Sequence, residues 1–326
     1  MEQNPTTLDS EQPPTQAPMP GSLGIAMGIV VVVGLSLVAF AAISPVPGAQ
    51  EQTAAVTAAV DPFADTTIEA SAAIVIDTTD GKILYAKNSE VQLPLASLTK
   101  VALVLAVAET LHVDSVITIP YYAGGSVSTS HLSKGEEWRV ADVIDFTLVE
   151  SSNNGAEILA DVADPRIHER FPDSPSEKTT LWRMNELARR LGLTQTYFLN
   201  VSGLDLSETQ AGAYGSAHDI AILFAYAASA EPRLFASTAK NGVLLTAPDG
   251  VQMSASNTNS AQGAIPGLMM GKTGFTDLAG GNLAVVFDVG LSHPVVAVVL
   301  GSSEKGRFTD MKKLVETTRA VLEEEQ

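Results

Sequence analysis

The chain has 326 residues, 45% of them hydrophobic, enough for one large or two modest domains with a substantial core, which excludes disorder of the whole. It contains no cysteine, which excludes thiol catalysis, cysteine-ligated zinc and a disulfide framework, and suits a location where stray thiols would oxidise. Its formal net charge of −18 argues against nucleic acid or anionic lipid headgroups as partners, because both would be repelled.

Residues 1–22 are rich in Pro, Gln and Thr and too poor in apolar side chains to fold, so a disordered tail is expected. Residues 23–43 carry no charge, and about 21 residues at ~1.5 Å each give about 31 Å, the thickness of a bilayer's hydrocarbon core. This predicts a transmembrane helix. A cleavable signal peptide is the rival reading, but a basic leader is absent and the apolar run exceeds the usual ~7–15 residues. No Lys or Arg precedes Lys82, so flanking charge gives no orientation. Within the span Gly24 and Gly28 form G-x-x-x-G, a spacing that lets two membrane helices approach. Such spacings are common in apolar segments by chance; a weak dimer through this face is the functional alternative. Residues 44–66, rich in Pro, Ala and Gln, read as a flexible linker about 25 Å in mean reach. A folded domain is expected over residues 67–326.

Residues 72–77 and 82–87 read as two strands around the turn Thr79-Asp80-Gly81. A helix is expected directly after Pro94, over residues 95–109, apolar on all sides and therefore buried. Ser97 and Lys100, three residues apart, share one face at its N-terminal end. Residues 138–149 have helical periodicity and run into Glu150-Ser151-Ser152-Asn153-Asn154-Gly155, whose turn chemistry interrupts two helices before the pattern resumes at 156–162. Residues 164–177, rich in Pro and charge, are expected to loop. Helices follow at 181–191 and at 217–228, the latter with Ser216 as N-cap. Strand patterns then occupy 242–247, 251–254, 282–288 and 293–300, and a helix closes the chain at 310–324. Strands, helices, strands and a final helix imply a sheet assembled from both ends of the domain with a helical region inserted between.

Serine is a weak nucleophile at neutral pH and needs a positioned base. The histidines (112, 131, 168, 218 and 293) form no recognisable Ser-His-Asp pattern, so Lys100 is the candidate base for Ser97. A free lysine titrates near 10.4, so this role requires burial and neighbouring positive charge, such as Lys272, to make it neutral. S-x-x-K alone is a weak signal, since Ser302-Ser303-Glu304-Lys305 repeats it, there read as a solvated turn. Two further elements accompany the first copy: Ser151-x-Asn153 at the helix break, and Lys272-Thr273-Gly274 in the last third.

With Asp77…Gly81-x-x-Leu84-Tyr85-x-Lys87-Asn88, Pro94-x-Ala96-Ser97-Leu98-Thr99-Lys100, Asn200-x-Ser202-Gly203-Leu204 and Lys272-Thr273-Gly274-Phe275-Thr276, the chain resembles the serine D-alanyl-D-alanine carboxypeptidases of the low-molecular-weight penicillin-binding proteins. The resemblance implies the α/β (α+β) fold shared by β-lactamases and DD-peptidases, with an antiparallel sheet and an inserted helical region. It implies removal of the terminal D-Ala from peptidoglycan stem peptides, β-lactam antibiotics as covalent inhibitors, and no cofactor. Implied catalytic residues are Ser97, which attacks, Lys100, which takes its proton, and Ser151, which relays a proton to the leaving amine. Asn153 would hold the substrate amide, Lys272 and Thr273 the terminal carboxylate, Gly274 would admit the substrate backbone, and the N–H groups of Ser97 and Phe275 would receive the carbonyl oxygen. Ser152-Asn153-Asn154 also reads S-x-N; matching to the family favours Ser151 and Asn153. Since the substrate lies outside the cytoplasm, a membrane-anchored, extracytoplasmic domain is expected.

Rival readings remain. A β-lactamase needs a further carboxylate for deacylation, and Glu169 lacks the Glu-x-x-Leu-Asn pattern around it. A DD-endopeptidase shares all the motifs, and a non-catalytic peptidoglycan-binding anchor would not need them. The glycines from Gly267 fall one residue short of a phosphate-binding loop, and no His/Glu pair has metal-ligand spacing. Asn200-Val201-Ser202 matches a glycosylation acceptor, but a turn role is expected for it.

Overall fold

The computed structural model describes residues 62–120 and 132–324. The expected tail, the span at 23–43 with Gly24 and Gly28, and nearly all of the linker lie outside these residues. Among the described residues no helix is long and apolar enough to cross a membrane. Phe63, within the segment expected as linker, is buried with its ring 5.2 Å from that of Tyr85.

In chain order the elements are β1 (Ala72–Asp77), β2 (Ile83–Lys87), β3 (Leu93–Pro94), α1 (Thr99–Ala108), β4 (Val116–Thr118), β5 (Glu137–Arg139), α2 (Val140–Val149), α3 (Asn153–Arg170) and α4 (Thr179–Arg190). There follow β6 (Tyr197–Phe198), β7 (Ala213–Gly215), α5 (Ala217–Ala230), α6 (Pro232–Phe235), β8 (Gly242–Thr246), β9 (Gln252–Ser256), β10 (Leu268–Thr276), β11 (Gly280–Asp288), β12 (Pro294–Ser302) and α7 (Gly306–Glu324). The main sheet has the order β10-β11-β12-β1-β2 with every neighbour antiparallel, so the first and last strands of the domain pair at its centre.

Side-chain alternation divides the core in two. Ala73 and Val75, Leu283, Val285 and Phe287, and Val295, Ala297 and Val299 face α7 through Met311, Leu314 and Val315. The intervening residues Ala72 and Ile74, Ala284 and Val286, and Val296, Val298 and Leu300 face the helical region. There α1 is buried at every residue from Thr99 to Val107, surrounded by α2, α3, α4 and α5. A helix without a solvent face needs no amphipathic stripe, which is the reason for its uniform apolarity.

Two expected boundaries are corrected. The helix after Pro94 opens as a 3₁₀ turn, Ala96–Leu98, and becomes α-helical only at Thr99, because Ala96 adopts φ +49°, away from the right-handed α region. The loop expected at 164–177 is helical as far as Arg170, with Pro165 inside α3. An internal proline costs ~3 kcal/mol. Burial of Ala163 and Ile167 on the core side offsets it, and Asp164 Oδ1 accepts from Thr180 N (2.7 Å) and Thr180 Oγ1 (2.6 Å), clamping α3 to the start of α4. Glu169 is consequently an exposed residue of the last turn of α3. Ser216 does cap α5, accepting from Asp219 N at 3.1 Å.

Candidate active site

The site forms where three separate segments meet: the 3₁₀ turn before α1, the break between α2 and α3, and the edge strand β10. Ser97 lies in the 3₁₀ turn next to strained Ala96, and the turn is anchored by Leu95 N donating to Ala213 O at 3.0 Å. Left-handed φ at a non-glycine residue costs of order 1–3 kcal/mol and persists only where surroundings over-determine it. Here Thr99 Oγ1 donates to the Ala96 carbonyl at 2.7 Å, and Gly203 packs directly on that carbonyl.

Lys100, in the first turn of α1, has no solvent exposure. Its Nζ lies 2.7 Å from Ser97 Oγ, 2.7 Å from Asn153 Oδ1 and 2.8 Å from the Ser202 carbonyl, donating to each as an ammonium. Burial lowers its pKa from 10.5 to about 7, against the opposing pull of the Glu157 carboxylate. Both protonation states are therefore accessible near neutrality.

The choice between Ser151 and Ser152 follows from the backbone. Ser152 is the N-cap of α3, its Oγ accepting from Gly155 N at 3.0 Å, so its hydroxyl serves the helix end. Ser151, at φ +62°, turns its hydroxyl instead toward β10, where Lys272 Nζ donates to it at 2.8 Å. Lys272 also donates to the Thr273 carbonyl at 2.9 Å. Its pKa is held well below 10.5 by burial first, then by the positive charges of Lys100 and Arg307. Thr273 Oγ1 lies 2.7 Å from Thr258 Oγ1. At Gly274 a Cβ would stand 2.8 Å from Leu95 O and 3.3 Å from Ser97 N, so glycine lets the edge strand lie against the nucleophile turn. Phe275 exposes its ring at the rim.

The structure thus brings Ser97, Lys100, Ser151, Asn153, Lys272, Thr273, Gly274 and Phe275 to one locus. Asn153 differs in part from expectation: its carboxamide oxygen is engaged by Lys100, leaving the NH₂ end for a substrate. Four contributors carried no assigned role in the sequence reading. Ser202 supplies the third acceptor of Lys100 through its backbone, which no side-chain motif encodes. Arg307 donates to Gly274 O at 2.6 Å from the start of α7, and Thr258 ties Thr273 to Val149 O (Thr258 N at 3.2 Å). Glu157 lies one turn beyond Asn153 on α3 and has a raised pKa, chiefly through burial and then the repulsion of Asp161. Two of them had a local signal: Glu157 in its i+4 spacing from Asn153, and Ser202 in its place within Asn200-x-Ser202-Gly203-Leu204.

Two minor expectations resolve here. Asn200 does form a turn, Oδ1 accepting from Gly203 N at 2.7 Å and Nδ2 donating to Leu204 O at 2.8 Å. The second S-x-x-K is not a solvated turn at its serine: Ser302 is buried because its hydroxyl donates to Asp310 at 2.7 Å, while Lys305 is exposed.

Comparison with known proteins places this geometry. The peptidase S11 family, described as D-alanyl-D-alanine carboxypeptidase, matches residues 55–304. The chain is 29% identical over 264 residues to D-alanyl-D-alanine carboxypeptidase DacF of Bacillus subtilis, covering 76% of this chain and 61% of that protein. It is 27% identical over 234 residues to DacB2 of Mycobacterium tuberculosis, covering 72% and 75% respectively. The chain therefore spans about six tenths of the length of DacF. Penicillin-binding protein D2 of Listeria monocytogenes in its ampicillin-bound form superposes with a TM-score of 0.64 at 28% identity, over 77% of this chain and 97% of that one. The fold is thus the α+β fold of the DD-peptidases, and the chain belongs to the D-alanyl-D-alanine carboxypeptidase family, peptidase S11.

Proposed function

We propose that this protein is a serine DD-carboxypeptidase that removes the terminal D-Ala from peptidoglycan stem peptides and is acylated by penicillins at the same serine. The observation that carries this reading is the buried Lys100 Nζ, 2.7 Å from Ser97 Oγ with a pKa brought to about 7. Neutral Lys100 accepts the Ser97 proton as Oγ attacks the penultimate D-Ala carbonyl. The backbone N–H groups of Ser97 and Phe275 receive the developing oxyanion, and the adjacency of Gly274 to Ser97 N supports this pairing. Asn153 donates its NH₂ to the substrate amide. Lys272, Thr273 and the nearby Arg307 surround the carboxylate with positive charge and a hydroxyl donor. As the C–N bond breaks, the proton passes through Ser151, held by Lys272, to the departing amine. Water then hydrolyses the ester on Ser97.

A peptide ending in D-Ala-D-Ala and a fluorescent penicillin, each incubated with the full chain in detergent, test the reading. D-Ala release together with stable labelling, both lost in Ser97→Ala, supports it; rapid turnover of the antibiotic identifies a β-lactamase, and absence of labelling overturns the assignment. Cleavage of cross-linked stem peptides is the second reading. It is favoured by 27% identity over 254 residues to a protein of Pseudomonas aeruginosa named D-alanyl-D-alanine endopeptidase, with 76% of each chain covered.

The uncharged run at residues 23–43 supports attachment by one N-terminal membrane helix, with the domain outside the cytoplasmic membrane where the proposed substrate lies. Protease accessibility in intact cells tests the orientation. Gly24→Leu in a membrane-helix association assay tests dimerisation through Gly24 and Gly28; an unchanged signal removes it.

A further inference from the structure

The three-stranded sheet β3-β7-β6 carries one row of side chains across its strands. Pro94 of β3 pairs with Tyr214 of β7, and Tyr214 pairs with Tyr197 of β6, so all three project from the same face. The two tyrosine rings are stacked, with centroids 5.3 Å apart and planes inclined by 27°, and Tyr197 is 40% exposed. Phe198 and Ala213, on the opposite face, are buried. The row is firmly held. Tyr214 Oη accepts from Ala211 N at 2.9 Å, and Asp219 of α5 accepts from Gln195 N at 2.7 Å and from Thr196 Oγ1 at 2.9 Å, fixing the entry to β6. Gln92 Nε2 donates to Gln195 O at 2.7 Å, joining the segments that lead into β3 and β6. Pro94 O accepts from Asn282 Nδ2 at 3.0 Å, and Asn282 pairs with Gly274 of the cleft strand. The row therefore starts beside the cleft and ends on an exposed aromatic ring.

We propose that Tyr197 and Tyr214, with Pro94, form a saccharide platform that seats an N-acetylated hexosamine ring of the glycan strand whose stem peptide lies at Ser97. The proposal rests on the function given above. The path from Tyr214 to Ser97, one strand spacing and three residues, is at most about 16 Å. The four residues of a pentapeptide on the acyl side of its last bond span up to about 14 Å, which is the same range. A flat phenol face takes the C–H face of a pyranose ring through dispersion and burial of apolar area. The hydroxyl and acetamido groups at the ring edge then remain for polar neighbours such as the Gln92 carboxamide. No charged residue belongs to β3, β6 or β7, which suits a neutral ring. The net charge of −18 disfavours both a second copy of this chain and an anionic lipid surface on this face. An open aromatic face binds weakly by itself. Its effect comes from linkage, because the ring and the peptide at Ser97 belong to one molecule and the second contact is intramolecular.

The test uses the full chain in detergent and two substrates with the same pentapeptide ending in D-Ala-D-Ala, one free and one borne on an N-acetylglucosaminyl-N-acetylmuramyl disaccharide. The wild type is expected to show the lower KM for the disaccharide-borne peptide. Tyr197→Ala is expected to raise that KM about fivefold at unchanged kcat, and to leave the free peptide and the rate of penicillin labelling unaltered. Tyr197→Trp, which keeps a flat ring, is expected to retain the wild-type KM. Saturation-transfer NMR with the disaccharide alone needs no turnover; transfer to its ring protons is expected in the wild type and its loss in Tyr197→Ala. An equal rise in KM for both substrates marks a merely structural role. That result, no transfer in the wild type, or unchanged transfer in folded Tyr197→Ala overturns the proposal. Should Tyr197→Ala not fold, Tyr197→Thr, better suited to a strand, takes its place. Self-association abolished by the substitution, with no saccharide effect, assigns the face to a second copy and likewise overturns the proposal. A protein that neither labels nor releases D-Ala, yet loses disaccharide binding in Tyr197→Ala, refutes the proposed function and leaves the platform standing.

Discussion

Gly203 faces the carbonyl of Ala96 so closely that a Cβ on it would stand 1.9 Å from that oxygen and 2.6 Å from Thr99 Oγ1, while its own backbone holds φ +82°. The Asn200 turn and the nucleophile turn are thus pressed backbone to backbone. This contact restrains Ala96 in its left-handed conformation and presents the Ser202 carbonyl to Lys100.

Replacing Gly203 with alanine should therefore act on stability and chemistry together. A backbone carbonyl cannot yield as a side chain can, and the added Cβ also meets unfavourable φ. A loss of about 3 kcal/mol or more is expected in urea unfolding. Penicillin labelling should fall sharply in whatever protein remains folded. Normal labelling with unchanged stability would show that the two turns are not in contact.

Lys100→Ala should abolish acylation, and Lys100→Arg should not restore it, because a guanidinium stays protonated at working pH. The expected loss is roughly 10²–10⁴-fold. In the wild type the acylation rate should fall tenfold per pH unit below about pH 7, as Lys100 gains its proton. Stopped-flow measurement with a chromogenic cephalosporin reads both effects.

Stability should depend on pH in a direction set by the same burial. The native pKa of Lys100, about 7, lies below its ordinary 10.5, so between these values the unfolded chain binds a proton that the native chain does not. Stability accordingly rises with pH across that window, and is lowest where both states are protonated. At ~1.4 kcal/mol per unit the rise across the whole window amounts to on the order of 5 kcal/mol, and Lys272, also lowered, adds in the same sense. Urea midpoints between pH 6.5 and 9.5 should climb in the wild type and climb less in Lys100→Met.

Thr258 orients Thr273 by a 2.7 Å hydroxyl contact. Thr258→Val keeps the shape and removes the bond, worth about 1 kcal/mol. The expected result is a roughly fivefold rise in KM for a D-Ala-D-Ala peptide with kcat nearly unchanged, since Thr273 is assigned to the substrate carboxylate rather than to the reacting carbonyl. A drop in kcat at constant KM would reassign Thr273.

Much of this protein is determined by the sequence at short range. Continuous apolar runs marked β1 and β12 as strands, uniform apolarity marked α1 as buried, Ser216 announced the start of α5, and three short motifs named the reactive side chains. Tertiary structure decided what depends on residues far apart in the chain. The partners of Lys100 and Lys272 include Ser202 and Ser151, 102 and 121 residues away, and the lowered pKa values follow from burial at that junction. The passage of α3 through Pro165 and the assignment of Ser151 to the cleft and Ser152 to a helix cap were decided in the same way. Periodicity and capping are local properties of a backbone, whereas desolvation and hydrogen-bond pairing exist only once distant segments have packed.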